Sequence, residues 1–210
     1  MALTEAAGYL GAALAWHLAG KSENARKWLD RALFTALRFG ARQLEFGCYL
    51  ALAEFALDGG DEAGTRDALE KAMAVGEAYQ FMHTWFWRPD AMARLCCEAI
   101  ETEIKVAYVQ KLVRRRRLIP GHPPLEMENW PWPIRIYTLG RFSLMVDGEP
   151  LRFSGKMKER PLDLLKVVIA NGGRNVSEDL VADQLWPDAE GDAAQGAFKT
   201  TLHRLRKLLG

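Results

Sequence analysis

Apolar residues recur at helical spacing along the first part of the chain. Around position 30, five of them would share one face of a helix: Trp28, Leu29, Ala32, Leu33 and Ala36. Glycines at 20, 40, 59 and 60 separate stretches of this kind, and glycine is common just beyond a helix end. Because strand-type alternation is missing, the pattern predicts an all-helical region over residues 1–118.

This helical region contains an internal repeat. GKSENARKWLDRALFTA (20–36) aligns with GDEAGTRDALEKAMAVG (60–76), so that Leu29 falls on Leu69 at an offset of 40 residues. A helix pair that recurs at such a period is typical of an α-solenoid, here one that is TPR-like. A third, degenerate unit at 81–118 would close the array as a terminal cap.

A proline-rich segment follows the repeats. IPGHPPLEMENWPWP (119–133) has five prolines in fifteen residues, which disfavour a helix and favour a stiff, extended linker. Trp130 and Trp132 could stack on a ligand, but tryptophans in a linker more often pin it onto a neighbouring domain. We therefore expect 119–133 to join two domains.

Residues after Pro133 have a different pattern. IRIYTLG (134–140) and FSLMVDG (142–148) alternate in polarity, and their Asp-Gly pair is a strong hairpin signal. PLRF (150–153) would form a third strand. This pattern predicts an antiparallel sheet at the start of a second domain, 134–210.

Three helices are predicted to follow the strands. The first would run from about Lys156 to Ala170, and Ser177 would cap the second over 178–186. Asp192 would cap the third, with Gln195 at the capping-box position. Six residues should form the buried side of the last two helices: Leu180, Leu185, Trp186, Phe198, Leu202 and Leu205.

The last helix, 193–209, is amphipathic. At about 100° per residue, one face is apolar: Ala194, Phe198, Leu202, Leu205 and Leu209. The opposite face is small or polar, with Arg204 and Arg206 on its flanks: Gly196, Lys199, Thr200, His203 and Lys207. A helix of this kind after a shorter helix and a tight turn is the helix-turn-helix arrangement, whose polar side chains can contact phosphates and base edges.

Acidic and basic residues are segregated near the end of the sequence. The formal net charge is only +1, so any nucleic-acid site must be confined to part of the surface. Residues 177–192 carry six acids and no Lys or Arg, and the following helix carries four Lys or Arg and one His. We expect those acids to face away from a bound duplex.

The C-terminal segment resembles the winged-helix DNA-binding domain of the antibiotic-regulatory (SARP) type, a branch of the OmpR/PhoB-type winged helices. The resemblance covers 134–210 and lies in four stretches: IRIYTLGRFSLMVDGEPLRF, LLKVVIANGG, LWPDA and LHRLRKLLG. It implies a four-stranded sheet, three helices and a C-terminal wing, with 193–209 as the recognition helix. The implied function is sequence-specific binding of double-stranded DNA by a transcription regulator, most simply an activator.

Six residues of the last helix are the candidate DNA contacts. We expect Lys199, Thr200, His203 and Arg204 to reach the groove, and Arg206 and Lys207 to contact phosphates. RNA polymerase or other protomers would be further partners. An effector, protein or small molecule, would act through the helical repeats or through a further N-terminal domain.

The upstream region is similar to large ATP-dependent regulators with repeats like those of the maltose-regulon activator. MARLCCEAIETEIKVAYVQKLVRRRRL and the WPWPIRIYTLGRF junction carry this similarity. In such proteins a nucleotide-binding domain precedes the repeats. The chain would then be a fragment that starts after that domain and stops before the strands of the wing.

Catalytic readings of the sequence are weak. AWHLAGKS (15–22) ends like a phosphate-binding loop, but Ala15 replaces its first glycine and the segment is helical. His17, His83 and His122 have no ligand-spaced partners. We therefore expect no enzyme activity, no cofactor and no metal.

The cysteine pattern points to the cytosol. Cys48, Cys96 and Cys97 are odd in number and lack metal-ligand spacing, so reduced, buried thiols are expected. No stretch reaches the roughly 18 apolar residues of a membrane span. The expected location is the cytoplasm, at the nucleoid, with no membrane partner.

Two questions stay open. VRRRRL (113–118) could bind phosphate, or it could simply complement the dipole at a helix C-terminus. The competing function is a protein-interaction module, in which the repeats hold a partner and the winged-helix fold contacts protein rather than DNA.

Overall fold

A computed structural model describes residues 2–122, 124–151, 159–189 and 191–209. The chain divides into two compact units, Met1–Pro131 and Trp132–Gly210. The division falls inside the segment 119–133. No helix among the described residues is both long and apolar enough to cross a membrane.

All the regular secondary structure among the described residues of the first unit is helical, as the apolar pattern predicts. Its six helices are α1 (Ala2–Leu18), α2 (Ser22–Arg38), α3 (Arg42–Asp58), α4 (Glu62–Tyr79), α5 (Pro89–Glu101) and α6 (Val106–Arg116). The starts of α1 and α3 are 40 residues apart (42 − 2), and so are those of α2 and α4 (62 − 22). The offset read from the sequence thus appears in the helix bounds.

Small and medium apolar side chains form the core of these helix pairs. Leu29 and Leu69, which the sequence alignment equates, are both fully buried, and so are Ala32 and Ala72. Alanine lets neighbouring helices approach closely, and the leucines fill the space between them. Between the helices the chain turns through glycine: Gly20, Gly40 and Gly60 have φ values of 71°, 63° and 72°.

Gly76 of α4 lies against the Tyr108 side chain of α6, in the third helix pair. The Tyr108 hydroxyl of α6 donates a hydrogen bond to the Phe81 carbonyl. A Cβ added at Gly76 would lie 2.8 Å from Phe46 and would overlap the Tyr108 hydroxyl. The absence of a side chain at this position is therefore a packing requirement.

We predict that Gly76→Ala destabilises the protein. Overpacking costs about 1–3 kcal/mol, whereas alanine gains about 1 kcal/mol of helix propensity. Because the added Cβ would overlap a hydroxyl that is itself hydrogen-bonded, the cost should lie in the upper half of its range. The free energy of unfolding should therefore fall by about 1–2 kcal/mol. Chemical denaturation measures this difference. Gly8→Ala in α1 is the matched control: a Cβ there meets nothing within 4 Å, and the variant should be more stable. Equal changes in the free energy of unfolding of the two variants would contradict the close packing at Gly76.

The three cysteines are free, with Cys48 and Cys96 buried and Cys97 half-buried. Burial raises the pKa of the Cys48 thiol to about 12 and that of Cys97 to about 11. Burial also raises the pKa of Cys96 well above its usual range. Because the thiolate is the reactive form, all three thiols should be inert in the folded protein.

Alkylation by iodoacetamide at pH 8 tests this expectation. The folded chain should stay unmodified over the time in which the denatured chain takes up three labels. On longer incubation of the folded chain, the half-buried Cys97 should be the first thiol to be labelled. Intact-mass spectrometry counts the labels. Rapid native labelling of Cys48 or Cys96 would show that the helix pairs are not packed as described.

The proline-rich segment is folded onto the first unit rather than extended. The Met127 amide donates to the Pro124 carbonyl at 3.1 Å, and the Trp130 amide donates to Met127 at 3.2 Å, which makes two successive turns. Trp130 is 1% exposed. The prediction of a stiff, extended path is therefore wrong here, because proline's fixed φ suits turns as well as extended chain.

The second unit begins with a small antiparallel sheet. Its strands, β1 (Ile134–Tyr137), β2 (Ser143–Val146) and β3 (Glu149–Pro150), are ordered β1-β2-β3. Val146 pairs with Glu149, so Asp147 and Gly148 form a two-residue turn with φ values of 50° and 87°. Positive φ at both positions is the hairpin geometry that Asp-Gly favours. The rest of the predicted third strand, 152–153, lies outside the described residues.

Three helices follow the sheet: α7 (Glu159–Ala170), α8 (Glu178–Leu185) and α9 (Gly191–Leu209). The predicted start of α7 at Lys156 lies outside the described residues. α9 begins at Gly191, which places Asp192 in its first turn rather than at its cap. An acid in the first turn still interacts favourably with the helix dipole.

Candidate nucleic-acid interface

α9 is held in place by an apolar core that it shares with α7 and α8. Leu164, Val181, Leu185 and Leu205 are buried at the centre of this cluster. The Arg160 guanidinium of α7 donates to the Leu185 carbonyl at 3.2 Å, where α8 ends. These contacts fix both the position of α9 and its rotation about its own axis.

The buried face of α9 largely follows the predicted stripe. Ala194, Thr201 and Leu205 are buried at 6–7% exposure. Phe198, Leu202 and Leu209 pack against the cluster but stay partly exposed. Phe198→Ala should therefore cost less than the 3–5 kcal/mol typical of a fully buried phenylalanine.

The prediction that Leu180 is buried is wrong: its side chain is 38% exposed. α8 has only eight residues and buries Val181, Ala182 and Leu185. At about 100° per residue, Leu180 lies roughly 140° from the middle of that face. Trp186, which ends α8, packs only partly against the core.

Solvent reaches the whole opposite face of α9. All six candidate contact residues are exposed: Lys199, Thr200, His203, Arg204, Arg206 and Lys207. Among the residues that the structure describes, none of the six forms an ion pair. The Thr200 hydroxyl donates to the Gly196 carbonyl at 2.9 Å, which leaves its oxygen available as an acceptor. The cations of this face are thus free for an outside anion.

The dimensions of α9 suit a nucleic-acid groove. At about 1.5 Å per residue, its 19 residues span roughly 28 Å. A helix about 10–12 Å across fits the major groove of B-DNA, which is about 12 Å wide. A protruding helix with a polar, cationic face can enter such a groove while its other face stays packed.

Two further residues belong to this face. Gln195 and Asp192 are exposed, and helical periodicity places both within about 60° of Lys199. Gln195 was assigned to a helix cap, yet an exposed glutamine near the start of such a helix can pair with adenine. Asp192 is one of the acids expected to face away from a duplex. On this face it disfavours nearby phosphates and could accept from a cytosine amino group.

The first unit holds a polar cluster that the sequence does not predict. His17 Nε2 lies 2.7 Å from Asp58 Oδ2, and Arg94 donates to Asp58 Oδ1 at 2.8 Å. Glu54, which is 4% exposed, pairs with Arg88. His17 thus has partners after all, one repeat further along the chain, where short-range spacing cannot show them.

Ligand atoms of His17, Glu54 and Asp58 lie within 4.8 Å of one another, a spacing that a metal ion could use. Arg88 and Arg94 already neutralise the two carboxylates, so the cluster does not need a cation. Burial raises the pKa of Glu54 although Arg88 opposes it. Burial also acts to raise the pKa of Asp58, but hydrogen bonds from His17 and Arg94 outweigh it and lower the pKa. The cluster is best described as an ion-pair network between α1, α3 and α5.

Comparison of the chain with protein-family models, curated proteins and solved structures gave no match. The functional argument therefore depends on the side chains and their arrangement. Of the features described, the exposed face of α9 has the dimensions and the charge that suit a nucleic-acid groove.

We predict opposite outcomes for two leucines near this interface. Leu205→Ala should lower the free energy of unfolding by about 2–5 kcal/mol, because it leaves a cavity under α9. Leu180→Ala should change it by no more than about 0.5 kcal/mol, as for other exposed positions. Urea titrations of both variants measure the difference. A larger loss at Leu180 would mean that α8 packs through another face.

Proposed function

We propose that this protein is a sequence-specific DNA-binding transcription regulator whose helix α9 enters the major groove. One observation carries the proposal: α9 is packed through Leu205, while every candidate contact residue on its other face is exposed and forms no ion pair with any described residue. Lysine and arginine without internal partners on a groove-sized helix are the usual means of binding DNA.

The second unit would be the winged-helix domain of a SARP-type (OmpR/PhoB-like) regulator. An antiparallel sheet followed by three helices, the last two of which pack on a shared core, supports this. Lys199, Thr200, His203 and Arg204 would contact bases, together with Gln195. Arg206 and Lys207 would bind phosphates and set the register on the duplex.

The first unit would be a TPR-like α-solenoid that relays a signal. Helix starts 40 residues apart and the buried equivalents Leu29 and Leu69 support a repeat. Such arrays bind partners along a face assembled from successive helix pairs. An effector, RNA polymerase or other protomers would engage this unit, and the protein would act as an activator at the nucleoid.

A protein-interaction module is the second candidate function. Asp192 on the outer face of α9 and the exposed Leu180 of α8 favour it, because both suit a protein partner better than phosphate. In that case the cations of α9 would pair with acids of the partner.

The proposal is tested by selecting, from a pool of random-sequence duplexes, those that the full chain binds. We predict that a defined sequence is enriched and that Lys199→Ala costs about 1–3 kcal/mol while relaxing the preference at one position. Arg206→Ala should instead weaken all sequences alike and lower the salt slope by about 1. Lys71→Ala in α4, which removes an exposed lysine paired with Asp67, is the matched control and should change nothing.

Two results together would contradict the proposal. If no sequence is enriched, and if Lys199→Ala combined with Arg204→Ala leaves duplex affinity unchanged, α9 does not read DNA. The protein-interaction function would then replace this one.

A further inference from the structure

The C-terminal end of α6 carries the densest positive charge in the chain. Arg114, Arg115, Arg116 and Arg117 are consecutive and all exposed. Among the described residues none of them forms an ion pair. Complementing the helix dipole accounts for a part of this, worth about 0.3–1 kcal/mol for a cation in the last turn. Four adjacent cations also repel one another, which the dipole does not offset.

The four arginines are not equivalent. The Arg116 guanidinium lies over the ring of Trp87 at 4.7 Å from its centroid, so this side chain has an internal partner. α6 ends at Arg116, and Arg117 follows it with a left-handed φ of 50°. Among the described residues, Arg114, Arg115 and Arg117 are exposed and form no ion pair, so their three guanidinium groups are available to an outside anion.

The cluster lies near the end of the first unit, beside the proline-rich segment. The Gln110 side chain of α6 donates to the Asn129 carbonyl at 2.8 Å, so the proline-rich segment packs along α6. Trp130 is buried immediately afterwards, and the first unit ends at Pro131. Arg116 is six residues from Gln110, or about 9 Å along the helix. The arginines thus lie close to the point where the chain passes into the second unit.

We propose that Arg114, Arg115 and Arg117 bind the phosphate backbone of double-stranded DNA. The inference rests on the proposed function and extends it, since it gives the first unit a direct contact with DNA. A guanidinium group matches two phosphate oxygens and stays charged at every physiological pH. DNA is favoured over an acidic protein because the proposed function already makes double-stranded DNA the ligand of this chain, and a duplex offers closely spaced phosphates to adjacent guanidinium groups.

The experiment compares salt dependence in the full chain. The triple variant Arg114→Gln/Arg115→Gln/Arg117→Gln keeps Arg116 on Trp87 and should unfold at an unchanged temperature. Each phosphate contact contributes about 0.9 to the slope of log K against log[salt]. The variant should therefore lose about 2–3 of that slope, and its affinity should fall at least roughly tenfold for every duplex at low salt.

A charge-matched control separates a local contact from a change in net charge. Arg26→Gln/Lys27→Gln/Arg66→Gln also removes three exposed cations from the first unit, two of them paired with acids one helical turn away. This control should keep the wild-type slope. An equal loss in both triple variants would overturn the inference, because it would show only a long-range charge effect.

The remaining outcomes separate this inference from the proposed function. If the α6 variant keeps its slope while Lys199→Ala still alters the sequence preference, the inference fails and the proposed function stands. If duplexes bind without preference but the slope depends on the arginines, the inference stands and the proposed function fails. If the α6 variant binds DNA normally but no longer binds a polyglutamate peptide that the wild-type chain binds, the cluster binds acidic protein and the inference is overturned.

Discussion

The burial of Leu205 among Leu164, Val181 and Leu185 is the contact on which the rest of the second unit depends. It sets the rotation of α9, and that rotation decides which side chains face solvent. A turn of about 100° would exchange exposed for buried positions along the whole helix. The cationic face is therefore a consequence of core packing and not a separate feature of the surface.

The first unit uses its charges in two different ways. The carboxylates of Glu54 and Asp58 are compensated within the unit by His17, Arg88 and Arg94, which join helices from different parts of the chain. The arginines at the end of α6 form no ion pair with any residue that the structure describes. Charge that is satisfied internally stabilises or specifies the fold, whereas charge left without a partner is available for binding.

Local patterns predicted much of the fold, and tertiary contacts decided the rest. The 40-residue repeat and its glycines anticipate the helix bounds, and Asp147-Gly148 anticipates the hairpin. The exposure of Leu180 could not be foreseen, because so short a helix has no clear periodicity. The pairing of His17 with Asp58 could not be foreseen either, because Asp58 lies one repeat further along the chain. The capping box predicted at Asp192 and Gln195 does not form, because α9 begins at Gly191, two residues before the predicted start.

Methylation interference on the selected duplex tests the entry of α9 into the major groove most directly. Dimethyl sulfate modifies guanine N7, which lies in that groove. The account predicts that methylation of guanines within the site blocks binding, and that Lys199→Ala removes the block at one of them. Unimpaired binding of the methylated duplex would contradict it.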